Sequence, residues 1–149
     1  MSGASAGLSP HRYECHVRFS DVDVYGHVNN VKYFEYYQEA RIAFVLALSG
    51  RVYDVDSTHR QVVARIDVDY KRPLLFRPEP YAVQTWVTRV GTSSYDLSCR
   101  IVDPDEPGAE TVYSTAEVRL VAYDTATGRS RPLTAEERER LELSLGPPA

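Results

Sequence analysis

Tyr33, Tyr37, Ala40, Phe44 and Leu48 recur at helical spacing, and Phe34, Tyr36, Ile42, Val45 and Leu46 broaden their stripe. A helix apolar over so much of its circumference cannot lie on a surface and has to be wrapped by other structure. Asn29 or Asn30 can cap its start, and Gly50 stands where a left-handed C-terminal residue is wanted. That predicts one helix of about five turns.

The flanking segments follow a different period. Tyr13, Cys15, Val17 and Phe19 alternate with Glu14, His16, Arg18 and Ser20, which predicts a first strand with one buried face. Beyond the helix, Val62, Ala64, Ile66, Val68 and Tyr70 are expected on one face. Val63, Arg65, Asp67, Asp69 and Lys71 take the other, until Pro73 ends the pattern. Tyr81 to Val90 is rich in strand formers, and Gly91-Thr-Ser-Ser94 turns the chain into Tyr95, Leu97, Cys99 and Ile101. After the loop Asp103 to Gly108, a last run alternates from Val112 to Tyr123, and Asp124 to Gly128 is another turn. Thr134-Ala-Glu-Glu137 has the form of a capping box opening a short charged helix. Strands joined mostly by hairpin-length turns pair antiparallel, so the expected fold is α+β, a five-stranded antiparallel sheet wrapped around one long helix. Open strand edges are commonly closed across a two-fold axis, which predicts a homodimer or homotetramer.

A chain of 149 residues with 43% apolar and 26% charged residues is the size of one domain, expected over residues 11–149 after a disordered tail at 1–10. The net charge of −4 offers no footprint for a nucleic acid. The two cysteines, Cys15 and Cys99, lack the spacing of a disulfide framework or a metal knuckle and read as small core residues. The start carries neither the charge nor the apolar run of a signal peptide, and Ile42 to Leu48 is far short of the roughly 20 residues that span a bilayer. A cytoplasmic protein without membrane partners is expected.

The chemistry is concentrated between the first strand and the helix, in Asp21-Val-Asp-Val-Tyr-Gly-His-Val-Asn-Asn30. A helix N-terminus presents unpaired N–H groups and the positive end of the dipole, which can stabilise the oxyanion formed when a thioester is attacked. Asp23 stands just upstream, placed to attack or to activate a water. Gly26 would let the backbone turn tightly and approach a ligand. Asp21 is expected to make structural hydrogen bonds. His27 can orient Asp23 or a water, or simply hydrogen-bond near the helix start.

This segment resembles hotdog-fold thioesterases of the 4-hydroxybenzoyl-CoA thioesterase and bacterial acyl-CoA thioesterase type. Their Asp-x-Asp-x-x-Gly turn follows the first strand and precedes an aromatic-rich helix. The match runs through Asp21, Asp23, Gly26, His27 and Asn30 into Tyr33, Phe34 and Tyr37, and continues at Asp69 to Pro73 and Gly91 to Tyr95, spanning roughly Tyr13 to Pro132. The resemblance implies an acyl-CoA thioesterase with Asp23 as the catalytic carboxylate and the backbone N–H near Asn30 polarising the carbonyl. Gly26, Val31, Tyr33, Lys71 and Arg72 are expected against substrate. Arg60 and Arg89 are further candidates for the phosphates of coenzyme A. Coenzyme A would be part of the substrate, and neither metal nor redox cofactor is required. The same resemblance extends to acyl carrier protein thioesterases. A non-catalytic acyl-CoA-binding protein and an enoyl-CoA hydratase are the rivals. The hydratases' Asp-x-Asn-Pro-x-His signature is not met, because the proline is missing and His27 follows Asp23 by four positions instead of five.

Overall fold

The structure is a computed structural model that describes residues 10–49, 59–104 and 111–149. Gly50, most of the 1–10 tail and most of the Asp103–Gly108 loop lie outside these residues. Strand β1 (His11–Cys15) is followed by a 3-10 turn (Phe19–Asp21) and the long helix α1 (Lys32–Ser49). Then come β2 (His59–Tyr70), β3 (Tyr81–Val90), β4 (Ser94–Val102), β5 (Val112–Asp124), a two-residue β6 (Arg129–Ser130) and helix α2 (Ala135–Glu142). The main sheet runs β1-β3-β4-β5-β2, antiparallel throughout, with β6 added beside β5. This is the expected five-stranded hotdog sheet around one long helix.

Helix α1 lies against the inner face of the sheet. Its first half buries Tyr36, Tyr37 and Ala40 against Val83, Cys99, Ile101 and Ala116. Further along, Phe44 packs with Val87, Leu97, Val118 and Leu120. Both cysteines are buried there, and burial pushes each thiol up to about 12, so they are inert core residues. The buried hydroxyl of Tyr37 donates to Ser114 Oγ at 2.7 Å, which donates on to the Asp69 carbonyl at 2.8 Å. That chain of bonds pins α1 to β5 and β2.

Several elements depart from the sequence pattern, each for a local reason. Strand β1 ends at Cys15 although its alternation continues to the buried Val17. Its partner β3 begins at Tyr81, behind Pro80, which has no N–H to extend the ladder. Phe19, expected inside, is 79% exposed on the 3-10 turn. In β2 a bulge between Val63 and Arg65 reverses the faces. Gln61 and Val63 stand opposite the inward Ala122 and Leu120, whereas after the bulge Ile66 and Val68 stand opposite Val118 and Ala116. Val62 and Ile66 therefore do not share a face as the unbroken alternation predicted. Arg41, which stands between the apolar positions of α1, is nevertheless buried, and Glu35 pairs with Lys32 at 2.9 Å.

Strand β3 is buried on both faces along most of its length, which explains its unclear alternation. The cover on its outer face is the C-terminal segment. Gly146 donates its N–H to the Val87 carbonyl at 2.8 Å, and the indole of buried Trp86 donates to the Pro147 carbonyl at 2.6 Å. The capping box of α2 forms as expected, with Glu137 N–H on Thr134 Oγ1 at 3.1 Å and Thr134 N–H on Glu137 Oε1 at 2.8 Å. No helix among the described residues is long and apolar enough to cross a membrane.

Candidate active site

Between the 3-10 turn and α1 the chain folds back on itself. Asn29 donates its N–H to the Asp21 carbonyl at 2.8 Å, Val22 bridges Val28, and Asp23 donates its N–H to the His27 carbonyl at 2.9 Å. The reversal is made at Val24-Tyr25-Gly26, where Gly26 adopts φ +83°, a conformation open to glycine and strained for other residues. The loop is anchored from below by Val28, which donates to the Leu74 carbonyl at 2.9 Å, and by Leu74, which donates to the buried Tyr33 hydroxyl at 3.1 Å.

Asp23 Oδ1 accepts the backbone N–H of Tyr25 at 2.9 Å and that of His27 at 3.4 Å. An Asp that caps its own turn in this way has its rotamer set by the backbone. Its other oxygen, Oδ2, takes no hydrogen bond among the described residues, and the side chain is half exposed. One oxygen is held and the other is open. His27 contributes its backbone N–H to this arrangement, while its residue is exposed and its ring has no hydrogen bond among the described residues.

At the start of α1, the Asn29 side chain accepts the Val31 N–H at 3.1 Å and its carbonyl accepts the Lys32 N–H at 2.9 Å, so Asn29 is the capping residue. The Asn30 N–H has no acceptor among the described residues. Helix starts leave such donors facing outward, where an oxygen of a ligand can meet them. The Asn30 carbonyl is held by the Tyr70 hydroxyl at 2.9 Å, and the Tyr70 ring packs edge-on against Tyr33 with centroids 4.8 Å apart.

Asp23, Gly26, His27, Asn30 and Val31 are thus gathered on one exposed loop, with Tyr33 buried beneath it. Lys71 and Arg72 follow Tyr70 directly, both exposed, their backbone N–H groups held by the Tyr113 carbonyl at 2.9 and 3.0 Å. The Tyr70 bond to Asn30 brings this basic pair beside the loop. The other basic candidates are elsewhere. Arg89 is engaged with Asp96 at 2.9 Å and Ser94 Oγ at 2.7 Å, and Arg60 precedes Tyr70 by ten positions of β2, about 33 Å along the strand. Sequence reasoning missed Tyr70, which reads as an ordinary strand aromatic. It also missed the apolar rim of Phe19 and Phe76, whose rings meet edge-on at 5.8 Å, both exposed.

Asp21 differs from Asp23 in every respect. It is 1% exposed and accepts the Tyr36 hydroxyl at 2.6 Å and the Arg18 N–H at 3.1 Å on Oδ2, with the Arg18 guanidinium 3.1 Å from Oδ1. Burial alone would raise its carboxyl, but the Tyr36 and Arg18 hydrogen bonds outweigh it and hold the group below the usual carboxylate range.

Residues 17–141 match the sequence model of the Thioesterase-like superfamily. The chain belongs to this family. It is a thioester hydrolase by that membership, and similar proteins agree. It is 28% identical over 126 residues to the long-chain acyl-CoA thioesterase FadM of Escherichia coli (strain K12), covering 85% of this chain and 92% of that one. Among solved structures, a Thermus thermophilus thioesterase complexed with coenzyme A and Zn is 30% identical with a TM-score of 0.70, covering 89% and 93% of the two chains. A Xanthomonas campestris protein with a proposed acyl-CoA thioesterase activity is 39% identical with a TM-score of 0.65, covering 74% and 90%.

Proposed function

We propose that this thioester hydrolase acts on acyl-CoA, releasing a free acid and coenzyme A, with Asp23 as the attacking or base-acting carboxylate and the start of α1 as the oxyanion site. The observation that carries the reading is the Asp23 carboxylate itself, one oxygen tied to two backbone N–H groups, on the loop that ends in the Asn30 N–H; neither its other oxygen nor that N–H has a hydrogen bond among the described residues. A thioester whose carbonyl oxygen points at that N–H presents its carbonyl carbon to the loop. Charge developing on the oxygen meets the positive end of α1. Oδ2 either bonds to the carbon directly, giving a mixed anhydride that water then opens to the free acid and the free carboxylate, or takes a proton from the water that attacks the carbon. In both cases the C–S bond breaks and the thiolate leaves, to take up a proton from Asp23 or solvent. His27 serves through its backbone N–H, which helps hold Asp23.

Coenzyme A as the carrier is supported by the two exposed cations Lys71 and Arg72, set beside the loop by Tyr70. Replacing both by Ala should raise KM for a CoA thioester about tenfold and leave KM for the phosphate-poor pantetheine thioester unchanged. Oligomerisation is part of the same reading. Among the described residues β2 pairs with β5 alone, leaving its second edge without a strand partner there, and Val62, Val63 and Tyr70 on it are each more than 40% exposed. A second copy of the chain is the occupant we assign to that edge, giving a homodimer that light scattering would weigh.

The discriminating experiment is thiol release from a panel of aliphatic and aromatic acyl-CoA esters set against acyl carrier protein esters. Hydrolysis of the CoA esters is expected. Tight binding of acyl-CoA without turnover of any member would replace this reading with that of a binding protein.

A further inference from the structure

The chemistry proposed above needs two groups from separate segments, the Asp23 carboxylate on its turn and the N–H donors of α1, to meet one carbonyl. Asp21 is the residue that joins those segments. It is the one buried carboxylate among the described residues. A charge is rarely buried without dedicated partners, and these partners are distributed in an informative way. The Arg18 N–H and guanidinium come from the strand side, at 3.1 Å each. The Tyr36 hydroxyl, at 2.6 Å, comes from the second turn of α1. The Asp21 carbonyl accepts, at 2.8 Å, the N–H of Asn29, the residue that caps α1. The 3-10 turn is closed by the Asp21 N–H on the Arg18 carbonyl at 2.9 Å and capped by the Arg18 N–H on the Asp21 carboxylate, neither of which involves α1. The bond to Tyr36 does something further, locking the base of the Asp23 turn to the body of the helix.

We propose that Asp21 is a positioning residue for thioester hydrolysis, acting through Tyr36 and Asn29 to hold the Asp23 carboxylate in register with the N-terminus of α1. This rests on the Asp23 reading above. A displacement of about 1 Å between reacting groups can cost a hundredfold in rate, so a single short bond at the base of the loop has leverage on catalysis out of proportion to its share of the fold.

The ionisation of Asp21 belongs to the device. The groups facing it are Cys15 from β1, Arg18 beside the turn and Tyr36 from α1, and Glu35 of α1 reaches Arg18 at 3.6 Å. Burial first, then the bond to Asp21, raises the Tyr36 hydroxyl, so it remains a donor across the working range. Without that donor, burial of Asp21 has less opposing it, and its protonation moves to higher pH.

The test is steady-state kinetics of Tyr36→Phe, Asp21→Asn and Asp23→Asn on an acyl-CoA, well below each variant's Tm. Tyr36→Phe should lower kcat by about tenfold or more with KM changed by less than about twofold. It should also shift the acid limb of its kcat profile upward, a shift absent when Asp21→Asn is added. Should Tyr36→Phe fail to fold, Asp21→Ala carries the same kcat-against-KM test, since it removes the acceptor of the Tyr36 hydroxyl from the other side of the bond. A lowered Tm with wild-type kcat and an unmoved acid limb would overturn the proposal and leave Asp21 a structural residue. If Asp23→Asn is inactive in that case, only the role of Asp21 fails. Wild-type turnover by Asp23→Asn would instead remove the reading on which both stand.

Discussion

The phenolic hydroxyl of Tyr70, the last residue of β2, donates to the main-chain carbonyl of Asn30 at the threshold of α1, over 2.9 Å. This bond crosses from the sheet to the loop that carries Asp23, and it leaves the Asn30 N–H as the half of that residue's backbone with no partner among the described residues. Tyr70→Phe keeps the edge-on contact with Tyr33 and deletes only the bond. On a half-exposed pair that should cost about 0.5–1 kcal/mol, read as a lower urea midpoint at unchanged slope. A several-fold fall in kcat should accompany it. Equal stability and equal turnover would show that the bond holds nothing.

Gly26 offers a cleaner perturbation. At φ +83° an added Cβ would meet no atom within 4 Å, so Gly26→Ala introduces conformational strain without a clash. Strain of that kind is worth roughly 1–2 kcal/mol. The turn can relax it only by moving the Tyr25 and His27 N–H groups that hold Asp23 Oδ1. Thiol-release kinetics should show kcat falling in Gly26→Ala and less so in Gly26→Asn, because Asn tolerates the left-handed region better. Identical rates for both would mean that the turn does not set the carboxylate.

The outer face of the sheet makes a prediction about acid stability. Asp96 is paired with Arg119 at 2.8 Å and Arg89 at 2.9 Å, and their hydrogen bonds lower its carboxyl to about 2 against the penalty of burial. A carboxyl lowered on folding stabilises the protein above its unfolded pKa of about 3.9, and that contribution is lost as pH falls through the folded value. Asp96→Asn should therefore be less stable than wild type at neutral pH, with the difference in Tm closing between about pH 4 and pH 2. A difference that stays constant over that window would mean the ion pairs contribute no pH-dependent stability.

The architecture was largely legible from hydrophobic period, because α1 and each main strand carry enough apolar residues to declare their faces. What escaped was decided by partners distant in sequence. The end of β1 depends on Pro80 across the ladder, and the reversal of faces in β2 depends on a bulge that the even alternation of Val62, Ala64 and Ile66 conceals. The burial of Trp86 depends on the C-terminal segment that crosses it. In the candidate site, the crowding of Asp21, Asp23, Gly26 and His27 was visible, and so was Asn29 or Asn30 as a cap. The division of labour between the two aspartates was only partly so. Asp21 was expected to make structural hydrogen bonds, but its bond to Tyr36 joins residues 15 positions apart, and the bond of the His27 N–H to Asp23 follows from the turn geometry and not from any pattern in the sequence. Tyr70 went unnoticed because a tyrosine ending a strand has no pattern that names its partner.

The most direct measurement compares thiol release from an acyl-CoA by wild type and Asp23→Asn, with circular dichroism confirming that the variant is folded. Asn keeps an oxygen to accept the Tyr25 and His27 N–H groups, so the turn should survive. Turnover should fall by about a hundredfold or more, the scale expected when an attacking or proton-accepting carboxylate is neutralised. Wild-type turnover in the folded Asp23→Asn protein would contradict the assignment of Asp23 as the group that acts on the thioester.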